Sequence, residues 1–299
     1  MTTKPITVDV LCVGHASYDL VYCVPHHPGE DEKIVADSFI SCGGGPAANA
    51  AVMVAKLGLK SAFVGYLGND LYGEMHRQEL IDNKVVVDKI VRGSSPTPVS
   101  MVLVKPDGKR ALINYKGETK PLSEYAVDFS AIKAKVILFD GHEPQISVPL
   151  AKQAKAQSIA TVLDAGSVHE GTLALMSIVD HLVCSEKFAV QLHGDNESAL
   201  RKLANDTATA VITLGEQGLI WQREDNHGAL LAFPIVAVDT TGAGDAFHGA
   251  YAAALALGLS WNEVLAYASA AGALCCTKSG ARLGLPGYQE HLGLFEQRL

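Results

Sequence analysis

The residues best suited to do chemistry lie in one string, Asp239-Thr240-Thr241-Gly242-Ala243-Gly244-Asp245-Ala246-Phe247. Gly242 and Gly244, one residue apart, allow a tight turn and a close backbone approach to a ligand. An Ala-rich run follows, so the turn opens a helix whose first N–H groups have no intrahelical partner. Together with the helix dipole they form an anion site. Asp245 falls in the first turn of that helix. A carboxylate beside an anion cradle suits taking a proton from an alcohol while amides hold a phosphoryl group under attack. Phosphoryl transfer asks for little beyond such positioning and charge stabilisation. The plainer alternative, a helix cap and a turn, fits a lone Gly-x-Gly better than the full nine-residue string.

The elements that must position this string follow from periodicity. A short strand, Ile235–Val238, is expected ahead of it. Val8–Gly14, Ala62–Gly65, Val136–Phe139, Ala160–Leu163, His181–Cys184 and Ala210–Thr213 are short apolar runs that read as buried strands. Pro46–Leu57, with Pro at its start and Gly58 after its end, reads as a helix, as does Leu71–Asn83. Three more helices are expected at Ala243–Leu257, Trp261–Lys278 and Tyr288–Arg298, the first two rich in small residues and so deeply buried. Alternating strands and helices imply a mostly parallel sheet covered on both faces. Two regions break the rhythm: irregular Tyr18–Ile40 with strand-like ends, and a hairpin of Val99–Val104 and Arg110–Tyr115 around Pro106-Asp107-Gly108. Both suit one small sheet standing apart.

The 299 residues are nearly half apolar and carry a formal net charge of −8, which argues against a general nucleic-acid or anionic-membrane binder. Six cysteines without CxxC spacing read as buried free thiols, and eleven histidines show no metal-ligand spacing. Met1–Thr7 lacks a leader pattern and no run is long enough to span a membrane, so a soluble cytoplasmic protein is expected.

The nine-residue string resembles the second signature of the ribokinase (PfkB) family of carbohydrate kinases. Cys42-Gly43-Gly44-Gly45-Pro46-Ala47-Ala48-Asn49-Ala50-Ala51 resembles the first signature. Gly65–Gly73 and Thr213-Leu214-Gly215-Glu216-Gln217-Gly218 resemble later family stretches, in the family's order over nearly the whole chain. The resemblance implies a ribokinase-like three-layer α/β/α fold with a small β-sheet lid: a discontinuous main domain at 1–16, 41–91 and 119–299, and a lid at 17–40 and 92–118. It implies ATP and Mg²⁺, with K⁺ in those members that use it, and a homodimer paired through the lid. Residue by residue, it implies Asp245 as base with Gly242, Ala243 and Gly244 as the anion hole. Asp19, Gly43, Gly44 and Asn49 would bind sugar hydroxyls, and Thr213, Gly215 and Gly218 the ATP. Asp239 and Thr241 would contribute to a monovalent-cation site, the alternative being a structural turn. The family's Asn-x-x-Glu motif is replaced by Ser185-Glu186-Lys187-Phe188, leaving Ser185 on the nucleotide side and Glu186 as an indirect Mg²⁺ contact through water.

Within the family the chain is most similar to the sulfofructose kinase-like branch, through Gly43–Ala48, Ile113-Asn114-Tyr115 and Cys276-Thr277 with Gly280–Pro286. That likeness implies that Lys33 and Asn114 hold an anionic sugar tail from the lid; the alternative for Lys33 is a solvated charge. His142 stands where that branch has an arginine, a weaker anion clamp. A ketose or ketose derivative phosphorylated on a primary hydroxyl is expected first. A nucleoside kinase of the same fold, and a catalytically silent sugar- or nucleotide-binding regulator, are the alternatives. His248 reads as a packing residue, and Arg282 as a nucleotide neighbour or a helix cap.

Overall fold

The computed structural model describes residues 6–298; Met1–Pro5, most of the stretch read above for a leader, lie outside the described residues. In chain order the strands are β1 (Ile6–Val13), β2 (Ser17–Cys23), β3 (Ser38–Gly44), β4 (Ser61–Val64), β5 (Tyr66–Gly68), β6 (Val91–Gly93), β7 (Val99–Val104), β8 (Arg110–Tyr115), β9 (Ile132–Phe139), β10 (Ala160–Ala165), β11 (His181–Ser185), β12 (Thr209–Thr213), β13 (Leu219–Arg223) and β14 (Asn226–Leu230). The helices are α1 (Pro46–Lys56), α2 (Leu71–Asp82), α3 (Pro144–Ala156), α4 (Glu170–Leu175), α5 (Glu186–His193), α6 (Asn196–Asp206), α7 (Ala243–Leu257), α8 (Trp261–Cys275), α9 (Ala281–Gly284) and α10 (Tyr288–Phe295).

The main sheet runs β14-β13-β12-β11-β10-β9-β1-β4, parallel from β12 to β4 and antiparallel in the β12-β13-β14 edge. Its side chains alternate between two cores. Val10, Cys12, Val136, Leu138, Val162, Val183 and Val211 join α1, α7 and α8 on one face. Leu11, Val13, Ile137, Phe139, Leu163, Leu182 and Ile212 join α3, α5 and α6 on the other. Period-two burial on both faces explains why these strands are uniformly apolar rather than alternating polar and apolar, and it yields the ribokinase-like three layers. Small residues let α1, α7 and α8 approach closely: a Cβ on Gly249 of α7 would lie 2.7 Å from the Ala50 carbonyl of α1. That crossing sets Asn49 and Asp245, one turn earlier on α7, side by side.

A second sheet, β3-β2-β7-β8, contains the expected hairpin β7–β8. One row of paired residues runs Asn114–Ser100–Asp19–Cys42 across it, so these side chains share a face. β3 continues through Gly43 and Gly44 to α1, whose N-cap, Gly45, has φ 93° and no room for a side chain against the His15 carbonyl.

The expected strand Ile235–Val238 does not form. Its N–H groups find no sheet partner; Val238 and Asp239 donate instead to the Cys276 carbonyl, and Val236 and Val238 are largely exposed. The α8 and α10 helices end earlier than expected, α10 giving way to a 3₁₀ turn at Glu296–Arg298. All six cysteines are free. Among the described residues no helix is long and apolar enough to cross a membrane.

Candidate active site

The cradle is built at the N-terminus of α7. Gly242 is the N-cap with φ 79°, a left-handed conformation that favours glycine. The N–H groups of Gly242, Gly244 and Asp245 have no hydrogen-bond partner among the described residues, while that of Ala243 leans on the Thr240 carbonyl at 3.3 Å. Gly244 is exposed. Three free amides and the helix dipole therefore converge where an anion fits.

Asp245 is half-buried beside them, and Asn49 Nδ2 donates to its Oδ2 at 2.6 Å. Burial raises its pKa above the ordinary carboxylate value; the Asn49 bond, His248 and Arg110 of β8 pull the other way, and Asp140 pushes it further up. A carboxylate held partly out of water and shifted upward is suited to accepting a proton near neutrality. His248 does not approach the cleft. It is buried under the cradle, its Nδ1 2.6 Å from the Gly244 carbonyl and 3.3 Å from Asp164, whose own carboxyl is pushed up to about 7 by burial.

The second sheet supplies the other wall. Asp19 is buried, accepts from Ser17 Oγ at 2.8 Å, and is raised by burial against the pull of Ser17, Ser100 and Arg282. Gly44 leaves space for it, since a Cβ there would overlap the Asp19 carboxylate; a Cβ on Gly43 would overlap the ring of His76. Asn114 shares the Asp19 row but is exposed, as is Lys33 in the segment between β2 and β3. Arg110, two residues before Leu112 on the same face, reaches across to Thr241 Oγ1 beside the cradle.

Asp140, just after β9, ties its own loop to the loop after β1 and to the first turn of α1: its carboxylate accepts the N–H groups of His15 (2.7 Å), Ala47 (3.1 Å) and His142 (2.9 Å). Its neighbour Glu143 is buried and pushed up to about 7 by burial. His142 stacks on His169 with centroids 4.6 Å apart and lies 5.0 Å from His15. Three of the eleven histidines thus meet. Their spacing in sequence hides the trio because each follows a different parallel strand, β1, β9 or β10; the signal was their shared place just beyond a strand's C-terminal end, where ligands gather in such sheets. Burial, the neighbouring imidazole and Lys116 lower His15, to about 3, and His169.

Ser185 and Thr213 are paired neighbours at the ends of β11 and β12. Ser185 caps α5 by accepting from Phe188 N at 3.1 Å and donates to the Gly166 carbonyl. Gly215 opens a 3₁₀ turn, and Gly218, at φ 93°, has no space for a side chain against Leu230 and Ala232. Glu186 is exposed in the first turn of α5, bonded to Asn196 Nδ2 at 2.7 Å. Asp239 has both oxygens engaged, Oδ1 by Thr241 and Oδ2 by Gly280 N, so the pair ties the cradle to α9. Arg282 on α9 makes no capping bond to a helix end; it is buried among Asn49, His76 and Glu79.

Residues 8–287 match the sequence profile of the pfkB family carbohydrate kinase. The chain is 28% identical to the ribokinase of Haemophilus influenzae, covering 98% of this chain and 99% of the relative. It is 30% identical to fructokinase-1 of Zea mays, covering 88% and 91%. The structure of Arabidopsis thaliana ribokinase complexed with ribose and ATP superposes with a TM-score of 0.83 at 27% identity, over 98% of this chain and 99% of that one.

Proposed function

The chain belongs to the pfkB family of carbohydrate kinases, and we propose that it moves the γ-phosphoryl group of ATP to a primary hydroxyl of a ketose-like sugar. The observation that carries this reading is Asp245, half-buried and bonded to Asn49, beside the unpartnered N–H groups of Gly242 and Gly244. The hydroxyl gives its proton to Asp245 as its oxygen attacks, and the amides take up the charge on the transferring group. Asp19 and the second N–H of Asn49 orient the sugar, with Gly43 and Gly44 keeping the floor open. Thr213, Gly215, Gly218 and Ser185 line the nucleotide.

Mg²⁺ supplies charge neutralisation between the phosphates. It takes oxygen donors and keeps several waters, and the exposed Glu186 carboxylate fits such an indirect contact. Asp239 and Thr241 fit a structural turn better than a K⁺ cage, because Asp239 is already filled by N–H and O–H donors, and no step is derived through potassium.

We assign the chain to the sulfofructose kinase-like branch and the substrate to ketose derivatives with an anionic tail. His142 with His15 and His169, Lys116 close by, and Lys33 and Asn114 from the lid support a tail of that charge. The lid is also the proposed homodimer contact: the face opposite Asp19 carries Phe39, Ile113 and Tyr115, each more than half exposed.

The test is ATP consumption against a panel of ketoses, pentoses, ketose phosphates, ketose sulfonates and nucleosides. Turnover of ketose derivatives is expected. Turnover of nucleosides alone overturns the substrate reading, and no turnover on any member favours the silent regulator.

A further inference from the structure

We propose that Arg282 is a positioning residue that fixes the Asn49 amide, so that Asn49 holds one oxygen of Asp245 and leaves the other facing the acceptor hydroxyl. This rests on the reading of Asp245 as the base.

The two ends of an asparagine amide are nearly equal in shape but opposite in chemistry, one an acceptor and the other a pair of donors. If the amide turned over, its oxygen would face the Asp245 carboxylate and repel it. Arg282 removes that freedom. Guanidinium offers donors only, and Arg282 Nε donates to Asn49 Oδ1 at 3.0 Å, which leaves Nδ2 for Asp245 Oδ2 at 2.6 Å. Asn49 is 2% exposed and Arg282 3%, so water does not compete for either.

The guanidinium is itself clamped. Its Nη2 donates to His76 Nε2 at 3.2 Å, and Nη1 lies 3.4 Å from Glu79 Oε1. The other Glu79 oxygen accepts Gly43 N at 2.6 Å. His76 is fully buried against Gly43, where there is no room for a side chain. Arg282 on α9 is thus held by α2 and β3 while it orients a residue of α1 that grips a residue of α7. A planar fork serves this better than a point charge, because one plane holds two hydrogen-bond partners, Asn49 and His76, at fixed angles while staying beside the Glu79 carboxylate.

The charged and titratable groups facing Asp245 are Asp140 beyond β9, Asp19 on β2, Asp164 on β10, Arg110 on β8, Cys275 on α8 and His248 on its own helix, with the Asn49 amide as hydrogen-bond donor. Of these, Asn49 is the partner that depends on Arg282. Losing its donation raises the proton affinity of Asp245, so the acid limb of activity moves to higher pH.

Arg282→Lys tests this, because it keeps the stem and the positive charge beside Glu79 but not the fork. The expected result is a kcat/KM lower by roughly 10- to 100-fold near neutral pH, an acid limb displaced upward, and an unchanged KM for ATP. In an Asn49→Ala background the same substitution should cost little more, since the two residues act in one chain. A parental acid limb in Arg282→Lys, or losses that multiply in the double variant, overturns the inference and leaves Arg282 as packing. Asp245→Asn, measured alongside, keeps the outcomes separate. Full turnover there overturns the base assignment itself, whereas an inactive Asp245→Asn with a parental Arg282→Lys profile overturns only the role of Arg282.

Discussion

Residues that face each other across the cleft live in different surroundings. On the body side Asn49 bonds both Asp245 of α7 and Arg282 of α9, and Asp140 accepts three backbone N–H groups, all at 2.6 to 3.1 Å and in part-buried to fully buried positions. On the lid side Asn114 and Lys33 are exposed, and Arg110 makes one reach across to Thr241. The body fixes the geometry that the reaction itself needs, where small displacements are costly. The second sheet and the segment before β3 carry exposed side chains with few fixed partners, which leaves them free to adapt. Asp19 joins the two, because it sits on the lid sheet yet is buried at its base.

The largest effect expected from this contrast is on the body side. Asp245→Asn should lower kcat by roughly 10³-fold or more, with nucleotide binding retained in a direct titration; a modest loss would mean that positioning alone carries the reaction. Next comes the joint between the regions. Gly44→Ala places a methyl group on the Asp19 carboxylate and should cost on the order of 10²-fold in kcat/KM for sugar, with the KM for ATP unchanged. An equal change in both constants would show that the joint disturbs the whole cleft.

The body's buried charges should also register in stability. In the fold Glu143 titrates at about 7 against an ordinary 4.5. Between those values the native state holds a proton that the unfolded chain has released, so stability falls as pH rises through that window. Asp164, at about 7 against 3.8, acts in the same direction, and His15, pushed from 6.5 to about 3, acts oppositely between those limits. Glu143→Gln keeps an acceptor for Leu122 N and should recover roughly 1–3 kcal/mol between about pH 5 and about pH 8. Melting curves across that range check it, and a parental slope would locate the pH dependence elsewhere. The smallest effect belongs to the lid. Lys33→Ala should raise KM by about 5-fold or less, as suits an exposed charge, and only for substrates with an anionic tail. An equal rise for neutral sugars would remove the tail contact and leave Lys33 a solvated charge.

Local patterns made much of this legible in sequence. The α7 helix begins and ends where the Ala-rich run does, and the β7–β8 hairpin follows its two β-branched runs around Pro106-Asp107-Gly108. Ile235–Val238 misled because β-branched residues favour a strand only where a neighbouring strand supplies partners, and here the partner is a single carbonyl, Cys276. The histidine trio and the Arg282 chain were hidden for another reason. Each is assembled from loops and helices distant in sequence, so no spacing encodes it; only the closed fold does. Glu143, adjacent to His142, gave no sign of its burial.

The bond between Arg282 and Asn49 joins residues 233 apart along the chain. During synthesis Asp19, Gly43 and Asn49 leave the ribosome first and can begin to pack, while the glycine turn, Asp245 and α9 follow much later. Until they follow, the Asn49 amide has neither Arg282 to orient it nor Asp245 to receive it, so this cluster closes only when distant parts of the chain meet.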